Sequence, residues 1–246
     1  MLRITLFLLL AVGTCADVPS QQDAQRPPVP LQNIEPDLSR LKAWGTREFV
    51  YHVERGGERT ALGTVTMATE LKDREVKLSD TWKLTWRGKK ISLKLDMTCR
   101  RDGLLRPVKI RSAGEGDDEV ATFSAEVGHT EATVTSEGGR TRKIELPADT
   151  LTDVAMFRIF TLLPRTAGAA FSVGHVMEIS ELNLKGAAAI AYRGPDEISL
   201  HGKPIELHKF EYTRGGRTVS EAWVDGDHVL RQIRIDGRKV LVEKRR

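Results

Sequence analysis

Residues 76–100 read VKLSDTWKLTWRGKKISLKLDMTCR. Val76, Leu78, Trp82, Leu84 and Trp86 fall on alternate positions, with Lys77, Ser79, Thr81, Lys83, Thr85 and Arg87 around and between them. A helix would scatter that set around its surface, whereas a strand with one dry and one wet face keeps it together. Only Asp80 breaks the apolar series. Arg87-Gly88-Lys89-Lys90 supplies a turn, after which Ile91, Leu93, Leu95, Met97 and Cys99 alternate with Ser92, Lys94, Asp96, Thr98 and Arg100. The segment predicts a hairpin of two long strands, each roughly 30 Å if unbroken. Cys99 then points inward beside Leu95 and Met97, as a small buried hydrophobe.

The same pattern recurs outward from this hairpin. Gly56-Gly57, Asp102-Gly103, Gly138-Gly139, Gly215-Gly216, Gly226 and Asp236-Gly237 each separate alternating runs, as hairpin turns do. Two of them look alike, Arg55-Gly56-Gly57 after Phe49 and Tyr51 and Arg214-Gly215-Gly216 after Phe210 and Tyr212. The surrounding spacing does not repeat, so convergence on a glycine turn explains them better than duplication. A change of phase between Leu207 and Phe210 predicts a bulge. Residues 149–163 differ. They are apolar at 151, 154–157, 159, 160, 162 and 163, with Asp149 or Thr150 to cap the start, Asp153 in the first turn and Pro164 to stop it. A helix apolar nearly all round is a buried helix. Its single cation, Arg158, is expected to pair with a carboxylate or to lie near the helix C-terminus, the functional alternative being an anion or ligand clamp. The expected fold is mainly β: a large curved antiparallel sheet of about ten to twelve strands, a half-open barrel or clam, wrapped around one buried helix at about 149–163.

The N-terminus reads as an address. Arg3 precedes the apolar residues 4–12, and the small residues Thr14 and Ala16 stand before Asp17, the layout of a secretory signal peptide spanning 1–16. Lipid on Cys15, as in a bacterial lipoprotein, and an uncut anchor are the competing readings. Residues 17–40 hold Pro27, Pro28, Pro30 and Pro36 and read as a Pro/Gln-rich linker, leaving 41–246 as a single antiparallel β domain with one helix. The expected location is periplasmic or extracellular. Of 246 residues, 40% are hydrophobic and 29% charged, which excludes a disordered chain. Residues 4–12 are too few to span a bilayer as a helix, which takes about 20. The net charge of +4 comes from basic residues interleaved with acids, a poor match to a nucleic-acid binder. Cleavage would leave Cys99 as the sole thiol of the two cysteines.

The chemistry-bearing residues are scattered. His52, His129, His175, His201, His208 and His228 form no metal-ligand spacing. His175 is read as a core or rim histidine on a strand face shared with Phe171, Val173, Met177 and Ile179. The loop at 115–119 has carboxylates suited to calcium but lacks an EF-hand's alternate-position ligands. There is no Gly-x-Ser-x-Gly elbow, phosphate loop or dinucleotide fingerprint. No catalytic residue, metal ligand or cofactor is therefore expected, and Trp82, Trp86, Phe157 and Arg158 are the ligand-binding candidates.

Several short motifs resemble an uncharacterised family of exported bacterial proteins, the domain-of-unknown-function 3108-like family. They are Thr152-Asp153-Val154-Ala155-Met156-Phe157-Arg158, the Leu162-Leu163-Pro164 stop, Glu221-Ala222-Trp223-Val224-Asp225, Leu230-Arg231 and Phe49-Val50-Tyr51-His52-Val53. That family often has proline where this chain has Arg231. The resemblance implies a β-clam similar to periplasmic lipoprotein carriers and brings no catalytic residues. The function expected first is a non-enzymatic envelope protein that binds an apolar or lipid-like ligand or an envelope partner, with peripheral membrane contact. A structural interaction module without a ligand comes second, and a hydrolase or metal enzyme assembled from scattered His, Asp and Glu comes third.

Overall fold

The computed structural model describes residues 27–102, 104–116 and 122–244. The signal-peptide residues and most of the acidic loop, 117–121, lie outside them. In chain order the elements are β1 (Val29–Pro30), α1 (Arg40–Trp44), β2 (Thr46–Arg55), β3 (Glu58–Leu71), β4 (Glu75–Trp86), β5 (Lys89–Arg100), β6 (Pro107–Gly116), β7 (Phe123–Val127), β8 (Glu131–Ser136) and β9 (Thr141–Glu145). There follow β10 (Thr150–Thr152), α2 (Asp153–Leu162), β11 (Ala170–Val173), β12 (His175–Glu178), β13 (Asn183–Lys185), β14 (Ala188–Leu200), β15 (Lys203–Arg214), β16 (Arg217–Val224), β17 (Leu230–Ile235) and β18 (Lys239–Glu243).

Fifteen strands form one open sheet in the order β1-β11-β14-β15-β16-β17-β18-β2-β3-β4-β5-β6-β7-β8-β9, and β10-β12-β13 form a second, smaller sheet. The strand number exceeds the expected ten to twelve, and two pairings, β1 with β11 and β10 with β12, are parallel. The excess comes from short strands that carry too few residues to show alternation. The decisive hairpin forms in full register, Val76 opposite Cys99 through Trp86 opposite Lys89. Helix α2 lies within the curve of the sheet, and every residue from Val154 to Leu162 is buried. Each large side chain withdrawn from water there contributes about 1.5–3 kcal/mol.

Three expectations are corrected by the structure. The helix starts at Asp153, not 149, because Thr150–Thr152 are held extended by pairing with His175, Val176 and Met177. Thr152 is the cap, its hydroxyl accepting from the Ala155 N–H at 3.1 Å. His175 does not share a face with Phe171 and Val173, because the chain changes sheet at Gly174. A Cβ at Gly174 would sit 1.6 Å from an Asp149 carboxylate oxygen, so a side chain there would displace the Asp149 carboxylate. The bulge falls on β14 rather than β15: Tyr192 faces Phe210 and Gly194 faces Lys209, leaving Arg193 as the extra residue. Leu207 and Phe210 are buried on opposite faces of the strand. Leu207 joins Trp223 and Val242 on the outer side, where the far end of the β14–β15 hairpin folds back. Asp196 of that arm accepts from the Trp223 indole N–H at 2.8 Å. The end of the proline-rich stretch also joins the fold, with β1 paired to β11 and Leu31 buried.

Candidate functional site

The inner face of the sheet is closed at one end and open at the other. Along β4 the inward residues Val76, Leu78 and Asp80 are fully or almost fully buried, Trp82 is 8% exposed and Trp86 is 40% exposed. Leu84, between them, is half-buried. On β5, Cys99 and Met97 are buried and Ile91 is half-buried. On β2, Phe49 is buried and Tyr51 half-buried. Helix α1, helix α2 and Leu104-Leu105 fill the closed end. Trp86 lies six residues beyond Asp80, about 20 Å along the strand.

Asp80 and Arg158 meet where α2 crosses β4. The guanidinium gives Nη2 to Asp80 Oδ1 at 2.5 Å and Nη1 to Asp80 Oδ2 at 3.0 Å. It also donates to Thr69 Oγ1, to the Ala68 carbonyl at 3.1 Å and to the Val154 carbonyl at 3.3 Å. All five N–H donors of the guanidinium are thereby used. Its carbon lies 5.1 Å from the centre of the Trp44 ring. Both side chains are fully buried. Burial pushes the Asp80 carboxyl upward and the guanidinium pulls it back. Arg158 thus joins helix to sheet as a buried cross-link, with no donor left over for a ligand. Phe157 is buried in the same core.

Of the four ligand-binding candidates, the structure places Phe157 and Arg158 in the packed interior, Trp82 at the border and Trp86 at the open rim. Sequence reasoning missed Tyr51, whose ring meets Trp82 edge-on at 6.1 Å between centres. Its alternation with Phe49 was the available signal. Burial, with Asp236 nearby, pushes the Tyr51 phenol up to about 12. Gly63 belongs to the same border: a Cβ there would lie 2.0 Å from the Lys83 carbonyl oxygen, so strands β3 and β4 approach there more closely than a side chain allows.

The remaining titratable groups are dispersed. His175 Nδ1 pairs with Asp149 Oδ1 at 2.8 Å, and His208 Nδ1 with the Tyr192 hydroxyl at 2.8 Å. His52 lines an outer-face cavity of about 480 Å³ with Val50, Arg59, Ser199, His201, Gly202 and Val242. Burial depresses His52, His208 and His228. Burial pushes the Cys99 thiol strongly up, away from the thiolate. Asp153, buried at the start of α2, accepts from the Val154 and Ile179 N–H groups at 2.8 and 3.2 Å, yet burial raises it to about 7. No group of three or more His, Cys, Asp or Glu with metal-site geometry occurs among the described residues.

The open sheet around a helix is a β-barrel-like fold. The chain is similar to a β-barrel-like protein of domain of unknown function DUF1849 from Brucella abortus, at 9% identity and a TM-score of 0.53, over 80% of this chain and 94% of that one. Weaker likenesses are to a protein of YmcC-like fold from Bacteroides fragilis (9% identity, TM-score 0.25, over 81% of this chain and 93% of that one) and a DUF1329 family protein from Desulfovibrio piger (10% identity, TM-score 0.20, over 84% and 87%). At 9% identity the likeness to the DUF1849 protein shows the fold alone. No protein-family model and no curated protein sequence matches the chain, so its particular resemblance to the 3108-like family is not confirmed.

Proposed function

We propose that the protein is an exported, non-catalytic binding module of the bacterial envelope whose ligand is apolar or lipid-like and rests at the open end of the inner face. The observation that carries this reading is the burial gradient along β4, from fully buried Val76 to Trp86 at 40% exposure, on an alternation that stays apolar to the rim except at Asp80. A sheet face built for solvent would turn polar where the core ends; this one presents Tyr51, Leu84, Trp86 and Ile91 instead. The filled closed end confines the site to this border rather than to a deep cavity. The absence of catalysis is supported by the engagement of the inner titratable groups: Asp80 is paired with Arg158, Asp153 accepts two backbone N–H groups, and the Cys99 thiol stays protonated. Export is supported by the N-terminal address.

Titration of the exported protein with a long-chain fatty acid tests the reading. Tryptophan emission is expected to shift saturably, and Trp86→Ala to weaken the response several-fold while leaving the fold intact. No saturable response across fatty acids and phospholipids would leave the interaction module as the better account, a reading that the filled interior also favours.

A further inference from the structure

Antiparallel alternation brings the β2–β3, β4–β5, β8–β9, β15–β16 and β17–β18 turns to one rim, the same rim that carries Trp86. Each of these turns has an arginine beside its glycine: Arg55, Arg87, Arg140, Arg217 and Arg238. All five are exposed, and none makes an ion pair with another described residue. At the opposite rim Arg101 donates to the Lys72 and Asp73 carbonyls, and Arg106 to those of Gly128, His129 and Leu146.

Two of the open-rim turns form a hollow. The Glu54 N–H donates to the Arg238 carbonyl at 2.7 Å, which fixes the turns against each other. Between them is a cavity of about 470 Å³ lined by Glu54, Arg55, Gly56, Gly57, Gly237 and Arg238. The Glu54 carboxylate is already taken by Arg59 at 2.5 Å and Arg234 at 3.5 Å, leaving Arg55 and Arg238 as the hollow's uncompensated charges. Gly56, Gly57 and Gly237 have φ of 59°, 85° and 66°, and a Cβ on any of them would meet nothing within 4 Å, so the backbone is open to a ligand. Acidic residues are also present at this rim. Asp236 is paired with Lys239, while Glu58 and Glu137 are exposed. The acidic residues 117–119 lie outside the described residues; strand β6, which precedes them in the sequence, is four strands from β2 in the sheet.

We propose that this rim docks the protein on a membrane surface containing anionic phospholipid, with a headgroup phosphate between Arg55 and Arg238 and Trp86 at headgroup depth. Guanidinium forks suit phosphate oxygens, and tryptophan favours the membrane interface. Turn arginines that serve only solubility would need neither the hollow nor an exposed tryptophan on the same rim. The inference goes beyond the apolar-ligand reading and can fail separately from it.

The test is co-sedimentation of the exported full chain with vesicles of phosphatidylcholine alone and of phosphatidylcholine with phosphatidylglycerol. Binding is expected only with phosphatidylglycerol and is expected to weaken with salt. One surface cation is worth about fivefold in partitioning. Arg55→Gln with Arg238→Gln should therefore reduce binding more than tenfold, and Trp86→Ala should reduce it at every salt concentration. Arg74→Gln, at the opposite rim, serves as the control. Thermal melts establish that each variant is folded, and fatty-acid titration of the Arg55/Arg238 variant should match the parent. Equal binding to both vesicle types, no loss in the double variant, or an equal loss with Arg74→Gln would overturn the proposal. So would binding of inorganic phosphate without any binding to vesicles. Lost vesicle binding with an unchanged fatty-acid response would leave the apolar-ligand reading in place.

Discussion

Arg158 and Asp80 share one charge pair in a fully buried setting, so each depends on the other. Removing one partner strands a buried charge, a loss of about 3–5 kcal/mol. Arg158→Met is expected to cost about that much in urea denaturation, whereas Arg158→Met with Asp80→Leu should recover most of the loss; additive costs would contradict the pairing. Asp153 provides a test with pH. Its carboxyl ionises near 3.8 in the unfolded chain and at about 7 when folded. The folded state thus holds the proton more tightly, so this group's contribution is full below 3.8 and is lost as pH rises through about 7. Asp153→Asn keeps an acceptor for the Val154 and Ile179 N–H groups and should flatten that part of the stability profile, measured as the denaturation midpoint against pH. Asp80 and Arg158 were each visible in the sequence as exceptions to an apolar pattern. Their partnership was not, because 78 residues separate them and only the crossing of α2 over β4 joins them.

At the level of elements, the alternating runs were legible because period two in a strand admits one reading. The hairpin at 76–100 formed in the register its pattern implied, with Cys99 inward. The start of α2 was less legible, since an extended Thr150–Thr152 held by tertiary pairing looks locally like a helix entry. Alternation also cannot show where a strand outruns the core. Trp82 and Trp86 have the same phase but different surroundings. Trp82→Ala should cost about 3–5 kcal/mol and Trp86→Ala less than about 1 kcal/mol, read from denaturation curves. Equal costs would mean that the open end is packed. Cys99, buried on the neighbouring strand, should react with thiol reagents only as fast as the protein unfolds. Cys99→Ser should cost on the order of 1–3 kcal/mol, because it buries a hydroxyl in an apolar site. Rapid labelling of the native chain would place that strand the other way round.

At the scale of the whole molecule, the described residues form a fifteen-stranded open sheet curved around α2 and a second sheet of three strands, with the β14–β15 arm folded over the outer side of the large sheet. This asymmetry, one end filled and the other presenting apolar side chains, turns a common architecture into a candidate binding surface. The sequence carried the architecture through strand alternation and the buried helix. It did not carry the gradient, which depends on where α1, α2 and the loop at Leu104-Leu105 stop filling the interior. The most direct measurement is photo-crosslinking of the exported protein with a diazirine-bearing fatty acid, followed by peptide mass spectrometry. The account predicts adducts on 84–93 and around Tyr51, displaced by unlabelled fatty acid. Adducts on α2 instead, or labelling that unlabelled fatty acid does not displace, would contradict it.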